Sequence, residues 1–202
     1  MLSPTDRAKA FASLTTEASQ CTRCPAMCGR SAVLSELNGS VTARVMFIGE
    51  APGRKGADRT RVPFSGDQSG ANFDRFLSSI GLRREEIFIT SAALCNPRSA
   101  SGANRRPAQK EINNCSYFLR RTIDLVNPRV IVTLGSVALD ALKRIHHHEL
   151  NLKTSAAKIH HYSGRVLVPI YHPSPQVLAS HRREAEQLAD YQVVAKAISR
   201  HD

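Results

Sequence analysis

The stretch VMFIGEAPGRKGADRTRVPFSGDQSGANFDRFLSSIGL, residues 45–82, carries the pattern that decides the fold. Residues 45–48 form a short apolar run that stops at Gly49, as expected of a strand buried on both faces. A loop rich in Arg and Lys follows, with Glu50 near its start and Asp67 at its end. After Gly66-Asp67-Gln68-Ser69-Gly70, the residues Phe73, Phe76, Leu77 and Ile80 recur at helical spacing. A buried strand leading through a loop into a helix is the building unit of a parallel α/β fold.

The same alternation continues outward. Residues 5–20 read as a helix, and the cysteine-containing segment after them as a loop. Residues 87–92, 130–134 and 166–170 read as three further buried strands. Between them lie helical patterns at 107–125, with Pro107 expected as the first helical residue, and at 136–145. A last helix is expected at 184–199. The histidine-rich stretch 146–161 reads as a polar connector without a second set of metal ligands. The expectation is one domain over residues 1–202, a three-layer α/β/α sandwich around a mainly parallel four-stranded sheet. In such sheets ligands collect outside the carboxyl ends of the strands. Four conspicuous motifs fall there: GEAPG, ALCNP, the pair Gly135-Ser136, and YHPSP.

Composition narrows the partners. The 202 residues carry 28 Lys and Arg against 17 Asp and Glu, a net charge of +11 that suits a phosphate-backbone binder. No apolar run approaches the ~20 residues needed to span a bilayer. The first residues lack a secretory leader's long apolar stretch. A cytoplasmic protein acting as a monomer, away from membranes, is expected. Five cysteines in such a chain are a poor disulfide set. Three of them crowd into CTRCPAMC as Cys21, Cys24 and Cys28, and the others are Cys95 and Cys115. A Cys-x-x-Cys pair asks for a metal, a cluster or a redox role.

Taken together, GEAPG, PFSGDQSG, the cysteine pattern and HPS resemble the uracil-DNA glycosylase superfamily in its iron–sulfur branches, over roughly residues 20–190. GEAPG is similar to the family 4 opening, whereas GADRTRVPFSGDQSG is closer to family 5. The resemblance implies a monofunctional glycosylase acting on damaged DNA, releasing uracil or another deaminated base and leaving an abasic site. It implies that Glu50, Asp67 and His172 serve catalysis. Asp67 would stabilise positive charge on the sugar or position a water, and it also stands where a helix-capping Asp would. His172 would hydrogen-bond the base carbonyl that gains charge. Gly49, Ala51, Pro52, Gly53, Phe64, Ser91 and Asn96 would line the base pocket. Phe64 would stack on the flipped base or belong to the core.

Ser91 stands where family 4 has an Asn that reads the uracil edge. A hydroxyl offers less than an amide's separate donor and acceptor, so Asn96 or Asn104 would substitute, or recognition is relaxed towards hypoxanthine and xanthine. Pro173, Ser174, Val177, Leu178, Arg182 and Arg183 would engage DNA, with Val177 or Leu178 wedging into the duplex and the arginines gripping phosphates. Cys21, Cys24, Cys95 and Cys115 match the ligand layout of a [4Fe–4S] cluster. A four-thiolate zinc site is the other chemistry open to them, and Cys28 would replace one ligand or remain a free thiol. Another reading keeps the fold as a catalytically weak DNA-binding iron–sulfur protein. The loop SGANRRPAQKE lacks the histidine expected of the superfamily's covalent uracil-trapping members.

Overall fold

The computed structural model describes residues 3–200. Its sheet is built from β1 (Val45–Gly49), β2 (Ile87–Ser91), β3 (Val130–Leu134), β4 (His160–Tyr162) and β5 (Arg165–Ile170), in the order β2-β1-β3-β5-β4. β1 pairs in parallel with β2 and β3, and β3 with β5; β4 runs antiparallel along β5. All five residues of β1 and of β3 are buried. Continuous apolar runs are needed because both faces of the sheet are covered. Met46 and Ile48 face one side with Phe88, Ile131 and Leu167, whereas Val45 and Phe47 face the other with Ile89, Val132 and Val168.

The helices supply the outer layers. On the first side pack α1 (Pro4–Ser19), α4 (Gln109–Val126) and α5 (Ser136–Leu142), through Phe11, Leu14, Phe118, Leu119, Ala138 and Leu142. On the second pack α3 (Gln68–Ser78) and α8 (Glu184–Ser199), through Phe73, Phe76, Leu77, Tyr191 and Val194. Short helices α2 (Ala57–Thr60), α6 (Leu152–Ser155) and α7 (Pro175–Ser180) lie in the connections. The three-layer α/β/α sandwich is as expected. Among the described residues no helix is long and apolar enough to cross a membrane.

Two expectations are corrected. The sheet has five strands rather than four, because the stretch read as a polar connector contains α6 and β4. Ser163 and Gly164, with φ of 48° and 75°, turn β4 back onto β5. Two successive left-handed residues match the twist of a two-residue hairpin, and β4 is an edge strand with only Tyr162 buried, so it carries no apolar run to betray it. The fourth helix begins at Gln109, not Pro107. Glu111 accepts from the Ala108 amide at 2.7 Å and is gripped by Arg105 at 2.8 and 2.6 Å, which holds Ala108 extended as the N-cap.

Candidate active site

The parallel strands end side by side, and their carboxyl ends open onto a pocket of about 360 Å³. Glu50 to Gly53 enter it from β1, Ser91 from β2, and His172 from β5. The exit of β2 fixes the first of these: the amides of Ala92 and Ala93 donate to the carbonyls of Gly49 and Glu50 at 2.9 and 3.0 Å. Phe64 and Asp67 close the wall from the loop before α3, and Ser174 and Val177 the wall from the start of α7.

Phe64 lines the pocket and packs on the core. Its ring packs 4.8 Å from Phe73 of the core and 5.5 Å from His172 across the pocket. Its backbone is left-handed, with φ 50°, a costly conformation for an aromatic residue. Arg84 holds it there by donating to the carbonyls of Pro63, at 2.8 Å, and of Phe64, while its Nε donates to Asp74 at 2.6 Å. Two glycines make room: a Cβ at Gly49 would lie 2.8 Å from the Phe64 ring, and one at Gly70 would lie 2.4 Å from its carbonyl oxygen. Gly49 therefore acts from behind the pocket wall.

Asp67 caps α3, its Oδ1 accepting from the Gly70 amide at 3.0 Å. Its Oδ2 turns towards the GEAPG loop, close enough that a Cβ on Gly56 would lie 2.2 Å away. The helix cap thus engages one carboxylate oxygen, and the other faces the loop. The Asp67 charge also reaches His172, where it raises a pKa that burial pushes down to about 4. The imidazole is neutral at neutral pH. Burial raises the Glu50 pKa, and the charge of Arg106 opposes it.

Asn96 lines the pocket. It is wholly buried, and its amide is held by the scaffold: Nδ2 donates to the Pro52 carbonyl at 2.6 Å and to Asn104 Oδ1 at 3.0 Å, and Oδ1 accepts from Arg98 Nε at 2.6 Å. It shapes the GEAPG loop with both amide hydrogens, and Oδ1 keeps one lone pair. Asn104 Oδ1 also accepts from the Arg54 amide at 3.0 Å, tying the two loops together. Part of the basic loop is similarly internal. Arg98 pairs with Asp58 at 2.5 Å, and Arg61 donates to the carbonyls of Ser31 and Asp58, both at 3.3 Å, and of Ala32. Arg54, Lys55 and Arg59 stay exposed.

The region after β5 divides the residues assigned to DNA. Pro173 is buried, Ser174 caps α7 by accepting from the Val177 amide at 3.4 Å, and Val177 lines the pocket. Leu178 packs against the core instead. Arg182 is also corrected. Its Nη2 and Nε donate to buried Asp190 at 2.6 and 3.0 Å, with Glu186 at 3.2 Å, so it staples the segment after α7 to α8. A buried carboxylate needs that partner. Arg183 is exposed.

Cys21, Cys24 and Cys95 are half-buried, Cys115 is buried, and Cys28 is exposed. Burial pushes the Cys95 and Cys115 thiols up to about 11 and about 12, and the charges of Cys21 and Cys24 are felt by both. Four thiols therefore neighbour one another, and Cys28 stands outside them, its Sγ 3.8 Å from the Cys24 carbonyl. Among the described residues no three His, Cys, Asp or Glu converge to hold one metal ion. Asn114 fastens the cysteine loop, donating to the Arg23 carbonyl at 2.7 Å and to Cys24 Sγ at 3.4 Å.

Fold and site together define a protein of the uracil DNA glycosylase superfamily: the family model matches residues 38–194, and the chain belongs to that family. Its relatives come from two branches. It is similar to a type-4 uracil-DNA glycosylase of Thermotoga maritima, 33% identical over 77% of this chain and 77% of the relative. It is equally similar, at 33% identity over 75% of this chain and 70% of the relative, to a type-5 uracil-DNA glycosylase of Pyrobaculum aerophilum. A type-4 uracil-DNA glycosylase of Archaeoglobus fulgidus is 31% identical over 78% of each chain.

Proposed function

We propose that this chain is a monofunctional DNA glycosylase that releases uracil, or another deaminated base, from DNA by hydrolysis. The observation that carries the reading is the meeting of Glu50, Asp67 and His172 around one pocket walled by Phe64 at the carboxyl edge of the sheet. A nucleotide swung out of the duplex would enter it, its base against the Phe64 ring, which replaces the stacking lost on extrusion. The neutral imidazole of His172 would donate a hydrogen bond to the base carbonyl as the glycosidic bond lengthens and negative charge collects on the base. The Asp67 carboxylate would stabilise the oxocarbenium-like sugar and orient a water. The water's oxygen would bond to the anomeric carbon, the bonding pair would leave with the base, and the proton that the water gives up would neutralise that base. Glu50 would lie beside the same sugar and base.

Ser91 would offer one hydroxyl to the base edge, a weak discriminator that favours a range of deaminated bases. Arg183, with Arg54, Lys55 and Arg59, would hold the phosphates, and Val177 would fill the space that the base leaves. Pro173 and Ser174 would fix the turn that presents them. Cys21, Cys24, Cys95 and Cys115 would hold a [4Fe–4S] cluster as thiolates, a structural clamp between the N-terminal loop, the exit of β2 and α4. The protein would act as a monomer on damaged DNA.

Release of free base from duplex oligonucleotides carrying uracil, hypoxanthine or xanthine tests the proposal. Uracil release by the parent protein, leaving an alkali-labile abasic site, is expected. No release from any of the three would leave a DNA-binding protein of this fold as the reading.

A further inference from the structure

We infer that Asn72 and Gln187, two buried amides on different helices, are positioning residues that aim His172. Neither belongs to any motif discussed above. Asn72 lies on α3 and is 4% exposed; its Nδ2 donates to the carbonyl oxygen of Pro173 at 2.8 Å. Gln187 lies on α8 and is 1% exposed; its Nε2 donates to the carbonyl oxygen of His172 at 3.2 Å. Two successive carbonyls, at the point where the chain leaves β5, are thus each taken by a side chain from a separate helix. Irregular backbone buried beside a pocket must find such partners, and here they set the two peptide planes that flank the Pro173 Cα, the first of which leaves the His172 Cα. Fixing those planes fixes the turn that begins at His172, and with it the direction of the imidazole.

One of the two donors, Asn72, is itself held. Gln68 Nε2 donates to Asn72 Oδ1 at 3.1 Å, and Arg75 Nη2 lies 3.4 Å from the same oxygen. Asn72 therefore cannot flip without losing bonds on both sides, which fixes Nδ2 towards Pro173. Arg75 pairs with Glu184 at 3.2 Å, joining α3 to α8, and Gln192 of α8 donates to the Ser79 carbonyl at 3.3 Å. Both arms of the clamp thus stand on one helical layer. That layer also carries Phe73, on which Phe64 rests, so the imidazole and the ring facing it are referenced to the same body.

The inference rests on the reading of His172 as the group that faces the base. Asn72→Asp keeps the side chain's shape and the acceptor offered to Gln68 and Arg75 but removes the N–H that Pro173 needs. Gln187→Glu does the same to His172. The measurements are single-turnover base release from a uracil-containing duplex, affinity for the abasic product duplex, far-UV circular dichroism and the ¹⁵N resonances of the His172 imidazole. Base release in each folded variant is expected to fall about 10- to 100-fold, the scale of a small misplacement of a reacting group. Product affinity should hold within about threefold, and the imidazole resonances should shift. The double variant should lose less than the product of the two single losses, because both act through one residue.

Unchanged imidazole resonances, or base release within about twofold of the parent, would overturn the inference. If the buried charge prevents Asn72→Asp from folding, Asn72→Ala removes the donor without it and is held to the same outcomes. His172→Ala separates the two readings. Unimpaired release in that variant removes the role of His172 itself; loss there, with normal release in Asn72→Asp, removes only the clamp.

Discussion

The depressed pKa of His172 predicts how the protein's stability responds to acid. An exposed imidazole titrates near 6.5, and burial brings that of His172 down to about 4. Between these values the unfolded chain binds a proton that the folded chain refuses. Stability therefore rises with pH across that window: the contribution is complete above pH 6.5 and is lost as pH falls towards 4. Each pH unit separating the two values is worth about 1.4 kcal/mol, so the fall from 6.5 to about 4 amounts to about 3 kcal/mol. The perturbation is His172→Gln, which keeps a polar group but cannot titrate. Urea unfolding of parent and variant is measured at intervals from pH 4 to 7.5, and the difference between them cancels every other acid-sensitive group. The parent should lose about 3 kcal/mol more than the variant over the window. A ¹⁵N titration of the imidazole should show no midpoint near 6.5. Because the Asp67 charge raises the His172 value, Asp67→Asn should lower the midpoint further. Parallel stability curves for parent and His172→Gln, or a midpoint at 6.5, would refute the picture of a desolvated, neutral imidazole.

Asp67→Asn should slow base release by about two to four orders of magnitude while leaving affinity for abasic product DNA nearly unchanged, since its charge acts on the transition state. Glu50→Gln should slow release too, and the double variant should lose less than the product of the single effects; near-parent rates in Asp67→Asn with a dead Glu50→Gln would transfer the leading role to Glu50. The purified protein should be brown with about four irons and four sulfides per chain, lost in Cys95→Ser or Cys115→Ser and kept in Cys28→Ser; zinc without iron after anaerobic purification would contradict this. Arg183→Ala should weaken binding to all DNA sequences and flatten its salt dependence. Arg182→Ala should instead lower thermal stability, because it leaves the buried Asp190 carboxylate unpaired; a flatter salt slope without loss of stability would return Arg182 to the DNA surface.

Much of the architecture could be read along the chain because its signals are local. A strand covered on both sides must be apolar throughout, so β1, β2, β3 and β5 announce themselves. Gly49 and Ser91 end β1 and β2, and Glu50 and His172 come within two residues of the ends of β1 and β5, so adjacency along the chain becomes adjacency at one edge of the sheet. The Cys-x-x-Cys pair stood out by its spacing, and the family resemblance supplied Cys95 and Cys115 as its companions. Tertiary structure decided what depends on partners distant in sequence. β4 is short and half-exposed, so only its pairing with β5 makes it a strand. Arg182 and Arg183 look alike as neighbours, and the difference is that Asp190 lies one helical stretch away from the first. Asn96 stood out as a group that could read a base, and only the fold showed that both its amide hydrogens go to Pro52 and Asn104. The left-handed backbone of Phe64 depends on Arg84, 20 residues further on, and the Pro173 carbonyl, next to His172, depends on Asn72, 101 residues away. Hydrophobic periodicity is a property of one element against water, whereas a hydrogen-bond partner is chosen by which elements the fold brings together. The sequence therefore determined the sheet, its ligand edge and the kinds of groups placed there; only the packed chain decided which of those groups are free to act and which are spent holding the others in place.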